Sequence, residues 1–434
     1  MALLFNCVKT FCLAQGLDKT YWIGYSGGLD SHVLLHLCAE LRKQYPLQIK
    51  AIHVHHGLSA HASDWAMHCE KICTDLQIEL VQKSIDAKAL SGDSPEEIAR
   101  ERRYAIFAAL LASQNILLTA HQQDDQAETV LLQLLRGAGP KGLAAMPVLK
   151  AFAAGFHGRP LLSIPRAELK QYAEEHGLTW IDDESNENKK YSRNFLRHAI
   201  LPVLQQRWPT VTNTLARVAK NCAETQALVE DLARQDMIAC RYAKNALAIN
   251  KLRSLDALRQ RQVLRAWLTE SGFEIPSAVK LRQIQHDFLQ AKQDKSPYIQ
   301  LGSVELRRYR DVLYAMPCLA HHDATQVFSW DLSQPLVIPS VGELRASLTD
   351  HAGLRMDTKQ VTVRFRQGGE KCYFAERRCH QSLKHLLQEW NVPPWERDRL
   401  PLLYVCETLV AVVGFFLDGR YAAAPGLRLS INRL

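Results

Sequence analysis

Ser26-Gly27-Gly28-Leu29-Asp30-Ser31 stands between an apolar run at residues 21–25 and a stretch at 31–42 where Val33, Leu34, Leu37, Cys38 and Leu41 recur at helical spacing. The order is strand, tight turn, helix. Two glycines let the backbone turn sharply and let a ligand approach without a Cβ in the way. The first amides of the helix, with the Ser26 and Ser31 hydroxyls, form an anion cradle. Plain strand-to-helix turns also favour Ser, Gly and Asp. Asp30 tips the reading towards a site, because a carboxylate in a phosphate cradle repels its ligand unless a divalent cation such as Mg2+ bridges the two. No G-K-[ST] follows the glycines and no G-x-G-x-x-G follows the strand, so neither a Walker A loop nor a dinucleotide fingerprint is present.

Further apolar runs at residues 49–54, 78–81 and 115–120 follow at roughly 25 to 35 residue intervals, with helical patterns between them. That alternation predicts βαβ units and a parallel sheet covered on both faces. Ser94-Pro95-Glu96-Glu97 marks one helix start, with an N-cap Ser, Pro at the first helical position and Glu at the capping-box position. Pro202 and Trp208-Pro209 punctuate a change of character, after which residues 210–290 read as helical and polar. Residues 317–355 carry scattered Pro and Gly and read as a linker or irregular strands. From Val361 the chain alternates in strand fashion, a basic helical stretch follows near 383–390, and β-like runs close it at 402–406 and 409–416. The expected fold is α/β: a parallel-sheet catalytic domain over 1–208, a helical domain over 210–316 and, after the 317–355 segment, a small α+β domain over 356–434.

Across 434 residues, 53 Lys+Arg against 45 Asp+Glu leave a net charge of +8, and 47% of the residues are hydrophobic. These values suit a globular protein and exclude disorder, collagen-like sequence and a disulfide miniprotein. The charge surplus is compatible with an anionic partner and selects none. The 11 cysteines are scattered, Cys69 and Cys73 being the closest together, and read as reduced thiols of a cytoplasmic protein. The N-terminal stretch reads as an amphipathic helix and not as a signal peptide. No run approaches the length needed to span a bilayer.

S-G-G-x-D-S after a first strand resembles the signature of the PP-loop ATP pyrophosphatases, whose domain is adenine nucleotide alpha hydrolase-like. These enzymes cleave ATP to AMP and pyrophosphate while adenylating a substrate oxygen. Further stretches narrow the resemblance: His53-Val54-His55-His56-Gly57-Leu58; Glu97 to Tyr104, E-I-A-R-E-R-R-Y; Leu118-Thr119-Ala120-His121 leading into Asp124-Asp125-Gln126-Ala127-Glu128-Thr129; Leu135-Arg136-Gly137; and Asp182-Asp183-Glu184-Ser185-Asn186 followed by Arg193-Asn194-Phe195-Leu196-Arg197. Together they are similar to the tRNA(Ile)-lysidine synthase family. Val363-Arg364-Phe365 through Pro393-Pro394-Trp395-Glu396-Arg397 resembles the last domain of its longer members.

The resemblance implies an ATP-dependent C–N ligase that joins lysine to C2 of the wobble cytidine in the CAU anticodon of an isoleucine tRNA. ATP would adenylate the C2 oxygen, AMP and pyrophosphate would leave, and codon reading would switch from AUG to AUA. ATP and Mg2+ are the implied cofactors, the tRNA and L-lysine the partners, with no membrane; a homodimer stays open. Ser26, Gly27, Gly28, Leu29, Asp30, Ser31, His53 and His121 are expected at ATP, and Asp30, Asp125, Arg100 and Arg103 in catalysis. Asp30 and Asp125 are expected at metal; Asp125, Glu128, Arg193 and Arg197 are expected at lysine or tRNA.

The residues themselves keep plainer readings open. Asp124, Asp125 and Glu128 at a helix start complement the helix dipole, and Asp124 is a candidate cap. Asp125 is the stronger functional candidate, because its helix begins at the carboxyl end of a parallel strand. Arg100 and Arg103, three apart, share a helix face, either solvated or aimed at phosphate. Arg193 and Arg197 carry the same two readings. His53, His55 and His56 invite zinc, which the lack of a nearby cysteine or suitably spaced aspartate disfavours. Gln122 stands where the family usually has a second His. Residues 364–399 hold Lys and Arg interleaved with Tyr373, Phe374, Trp390 and Trp395, a pattern suited to RNA contact and also to a solvated face. A tRNA thiolase, a glutamine-using synthetase and a non-catalytic tRNA binder are the competing readings. The first needs reactive cysteines at the site, the second favours an N-terminal Cys where Ala2 stands, and the intact Ser-Gly-Gly loop with Asp30 and Asp125 weighs against the third.

Overall fold

A computed structural model describes residues 2–55, 62–85, 95–182, 187–290, 297–358, 360–375 and 378–432. The four apolar runs form parallel strands β1 (Thr20–Gly24), β2 (Gln48–His55), β3 (Glu79–Ser84) and β4 (Ile116–Leu118). They are joined by β6 (Gly155–Gly158), parallel to β4, and by β5 (Leu149–Phe152), antiparallel to β6, in the order β3-β2-β1-β4-β6-β5. Successive side chains of a strand face opposite ways. Tyr21, Ile23, Ala51, Ile116 and Leu118 accordingly enter one core together with α1 (Ala2–Gln15), α2 (Leu29–Arg42) and α7 (Arg166–Glu175). Trp22, Ile52, Val54 and Leu117 enter the opposite core with Phe107 and Leu111 at the end of α4 (Pro95–Leu110). Burial on both faces is why these strands read as unbroken apolar runs. Cys69 and Cys73 lie inside α3 (Ala62–Asp75), and burial pushes each thiol up to about 12.

After β4 come α5 (Gln123–Leu135) and the short α6 (Pro140–Leu143). After α7 come α8 (Ser192–Phe195), a π-helical turn (Leu196–Ile200), α9 (Leu201–Arg207) and the 30-residue α10 (Val211–Cys240). The chain divides into two compact units, Met1–Val229 and Glu230–Leu434, with the division inside α10.

In the second unit the expected helical stretch is present, but residues 241–248 and 298–317 add a five-stranded sheet that helical periodicity did not signal. These strands are three to six residues long, and within 241–248 and within 298–317 the turns between them are too brief to mark a boundary. Residues 317–355, expected as linker or irregular strands, supply one edge strand to each of two further five-stranded sheets and two inner strands to one of them. Gly342–Thr349 pairs over seven positions with Gly426–Asn432 near the chain end. A partner this distant in sequence leaves no local trace. Among the described residues, no helix is long and apolar enough to cross a membrane.

Candidate active site

The loop from β1 to α2 is held from within. Ser31 Oγ donates to Gly28 O at 2.9 Å, so the 3.0 Å contact between the two hydroxyls takes its proton from Ser26 Oγ. Ser26 N donates to Ser31 Oγ at 3.2 Å. Gly27 has φ +84°, and a Cβ there would stand 2.6 Å from Ile181 Cδ1, so glycine is required twice over. Gly28 is the N-cap of α2 and offers no side-chain cap. The first amides of α2 therefore keep their donors for whatever enters.

Asp30 sits in the first turn of α2. Its Oδ1 is buried and accepts no hydrogen bond, and Arg166 Nε lies 3.9 Å away. Burial raises this carboxyl to about 6; Arg166 opposes the shift and Asp125 adds to it. A half-buried carboxylate with a buried, unused oxygen fits a hard cation.

The start of α5 is built differently. Gln122, fully buried, is the N-cap: its side chain accepts from Asp124 N at 2.6 Å, while Gln122 N donates to Asp125 Oδ2 at 3.0 Å, closing a capping box. Asp124 is thus not the cap of its own helix. Its Oδ2 accepts from Arg166 N, the first residue of α7, at 2.9 Å. Asp125 and Glu128 do share a face, and Arg193 and Arg197, one turn apart on the segment after α7, reach them. Glu128 is fully buried and accepts from Arg193 Nε and Arg197 Nε, each at 2.6 Å; both Nη2 groups meet Asp125 Oδ1 at 3.1 Å. Burial disfavours both guanidinium charges, but the two carboxylates outweigh it and keep them raised.

Both helix starts open on one cleft of about 200 Å³. Its walls include Ser26, Asp30 and Ser31, Arg100 and Arg103 from α4, and His121 and Asp125 from the β4–α5 corner. Arg100 lies over the Tyr104 ring, 4.9 Å from its centroid. His121 Nδ1 is 2.7 Å from Thr119 Oγ1, which is 2.8 Å from His157 Nε2; His157 Nδ1 accepts from Arg159 Nη2 at 3.1 Å. Burial first, then Arg159 and Arg193, push His121 well below its usual range. Sequence reasoning passed over His157 and Arg159. Their signal was a His and an Arg within Gly155-Phe156-His157-Gly158-Arg159, too polar for a strand buried only by packing.

His53 is not part of the cleft wall. Its Nδ1 lies 3.0 Å from Tyr25 O and it is buried at the β1–β2 junction, where it positions the strand end before the loop. His56, Gly57 and Leu58, the Ser94 cap, the Glu97 side chain and residues 183–186 lie outside the described residues. Among the described residues no cluster of three His, Cys, Asp or Glu could hold a metal.

In the second unit the basic stretch is largely engaged. Arg364 pairs with Glu407, Arg366 with Asp398, Arg397 donates to Tyr309 Oη, and Arg399 donates to the Ser340 and Ala320 carbonyls. Arg366, Arg399, Trp395 and His322 line a polar cavity of about 440 Å³.

Comparison with known proteins matches residues 8–204 to a PP-loop domain, 247–314 to the TilS substrate binding domain and 361–431 to the TilS substrate C-terminal domain. The chain is 44% identical over 401 residues to the tRNA(Ile)-lysidine synthase of Coxiella burnetii, covering 92% of this chain and 89% of that one. It is 40% identical to those of Alkalilimnicola ehrlichii, covering 95% and 94%, and of Methylococcus capsulatus, covering 94% of each.

Proposed function

This chain belongs to the tRNA(Ile)-lysidine synthase family, and from that premise we propose how its own residues carry the reaction. The enzyme is an ATP-dependent ligase that forms lysidine in isoleucine tRNA. The Ser26–Ser31 loop and the free amides of α2 receive the ATP phosphates. Arg100 and Arg103 face the charge that develops when the α-phosphate passes to the C2 oxygen of the wobble cytidine. Asp125, a buried carboxylate in the cleft wall, receives the lysine ammonium, and Glu128 holds Arg193 and Arg197 in place behind it. Mg2+, held by Asp30 and the phosphates, would offset phosphate charge. Arg366, Arg399 and Trp395 around the second-unit cavity, a mix of cations and an aromatic, favour tRNA contact at that face. A cytoplasmic location suits an enzyme whose substrates are tRNA and ATP.

The observation that supports this reading most is the uncapped start of α2 beside an Asp30 oxygen without a hydrogen bond, in the same cleft as two arginines. The test is to incubate the protein with isoleucine tRNA bearing CAU, ATP, Mg2+ and labelled lysine. Label in the RNA, with AMP released, is expected. Label from another amino acid or a sulfur donor, and none from lysine, defeats the reading.

A further inference from the structure

The hydrogen bonds behind His121 determine which of its nitrogens carries the proton. Arg159 is buried, its Nη1 donates to Pro147 O at 2.8 Å, and a guanidinium has donors only. Its Nη2 contact therefore makes His157 Nδ1 an acceptor. His157 is fully buried, and burial followed by Arg159 drives it down to about 2, so the ring is neutral and its single proton is on Nε2. That N–H donates to Thr119 Oγ1. Among the described residues Thr119 Oγ1 has no partner besides these two rings, so its one proton goes to His121 Nδ1. In neutral His121 the proton must sit on Nε2.

We propose that the chain Arg159–His157–Thr119 locks His121 as the Nε2–H tautomer, so that His121 offers the cleft a hydrogen-bond donor for a ligand oxygen and no lone pair for taking a proton. Arg159, His157 and Thr119 are positioning residues. A general base cannot come from His121, and an incoming amine must lose its proton elsewhere. The donor suits an oxygen that gains negative charge during the reaction, a phosphate or an activated carbonyl oxygen, where a preoriented N–H needs no reorganisation. The proposal rests on the ligase reading only for the identity of that oxygen. The tautomer belongs to the free protein.

The test is a long-range proton–nitrogen NMR spectrum of the full chain labelled with 15N-histidine, assigned through His121→Gln and His157→Gln. Both rings are expected as Nε2–H between about pH 6 and pH 9, a range above any titration of a neutral buried imidazole. Thr119→Val, nearly isosteric, removes the relay proton; His121 should then populate both tautomers, and kcat for lysidine formation should fall about tenfold, the size of one hydrogen bond. Thr119→Ser should restore the single tautomer and most of the rate. An Nδ1–H His121 in the unaltered protein, or a Thr119→Val variant with unchanged tautomer and rate, overturns the proposal. If the tautomer is as stated but no lysine is incorporated by the unaltered protein, the ligase reading fails and the relay stands.

Discussion

Two helices begin at the same cleft and are finished in opposite ways. At α5, Gln122 and Asp125 close a capping box, and Arg193 and Arg197 neutralise Asp125 and Glu128. At α2, Gly28 provides no cap and the acid in the first turn, Asp30, has Arg166 Nε at 3.9 Å and a raised pKa. A helix start with all donors and charges satisfied contributes stability and holds its side chains still. One left open is less stable until a ligand supplies the missing partners, so part of the binding energy is stored there as unsatisfied groups. The difference separates a helix start whose carboxylates are already paired from one whose first amides and Asp30 Oδ1 are not.

The strongest way to break this contrast is at α5. Glu128→Ala leaves two largely buried guanidiniums sharing Asp125 alone, which should lower unfolding free energy by about 3 to 5 kcal/mol, read from urea denaturation. Glu128→Gln keeps the shape and should lose less. A stability unchanged by the alanine would mean that α5 does not depend on its internal ion pairs. At α2 the effect should appear in activity instead. Asp30→Asn should slow AMP formation on the order of 10²–10³-fold while tRNA affinity, measured by filter binding, stays close to that of the parent.

The same substitution should also stabilise the free protein. The folded pKa of Asp30, about 6, is above the usual carboxylate value. Folding then takes up a proton between those two values, so the group's contribution to stability declines as pH rises from about 4 through about 6 and stays low above that. Asn resembles the protonated form. Without ATP or cation, Asp30→Asn should therefore melt higher than the parent at pH 8, by about 2 kcal/mol, and match it near pH 4. Equal melting at both pH values would show that Asp30 is solvated and that the α2 start is not strained.

Much of this contrast is legible in the amino-acid sequence. The S-G-G-L-D-S loop follows local rules, since two glycines and a helix start need only their neighbours along the chain, and it does lie between a strand and a helix. The pairing of residues 125 and 128 on one face is equally local. What brings Arg193 and Arg197 to them is not: the contacts span 65 to 72 residues. Asp124, a candidate cap by its position, escapes local rules for a related reason, as its carboxylate serves the start of α7, 42 residues away. The small sheet of the second unit is hidden because its strands are only three to six residues long, too short for a clear periodicity. The role of residues 317–355 is hidden because Gly342–Thr349 pairs with a strand near the chain end.

The smallest effect tests whether the capping box itself matters to the comparison. Gln122 is buried, accepts from Asp124 N and leaves its own Nε2 without a partner. Gln122→Ala removes a cap, which usually lowers stability by about 1 kcal/mol, and opens a small cavity. It also removes a buried amide donor that had no acceptor, a change that works in the opposite direction. The net loss, read from urea denaturation, should stay near about 1 kcal/mol. Because Asp125 Oδ1 remains bound to both arginines, the pH-dependent stability difference of Asp30→Asn should be the same in the Gln122→Ala background. If that difference changes, the two helix starts are coupled through Asp125, and the open start of α2 depends on how tightly α5 is closed.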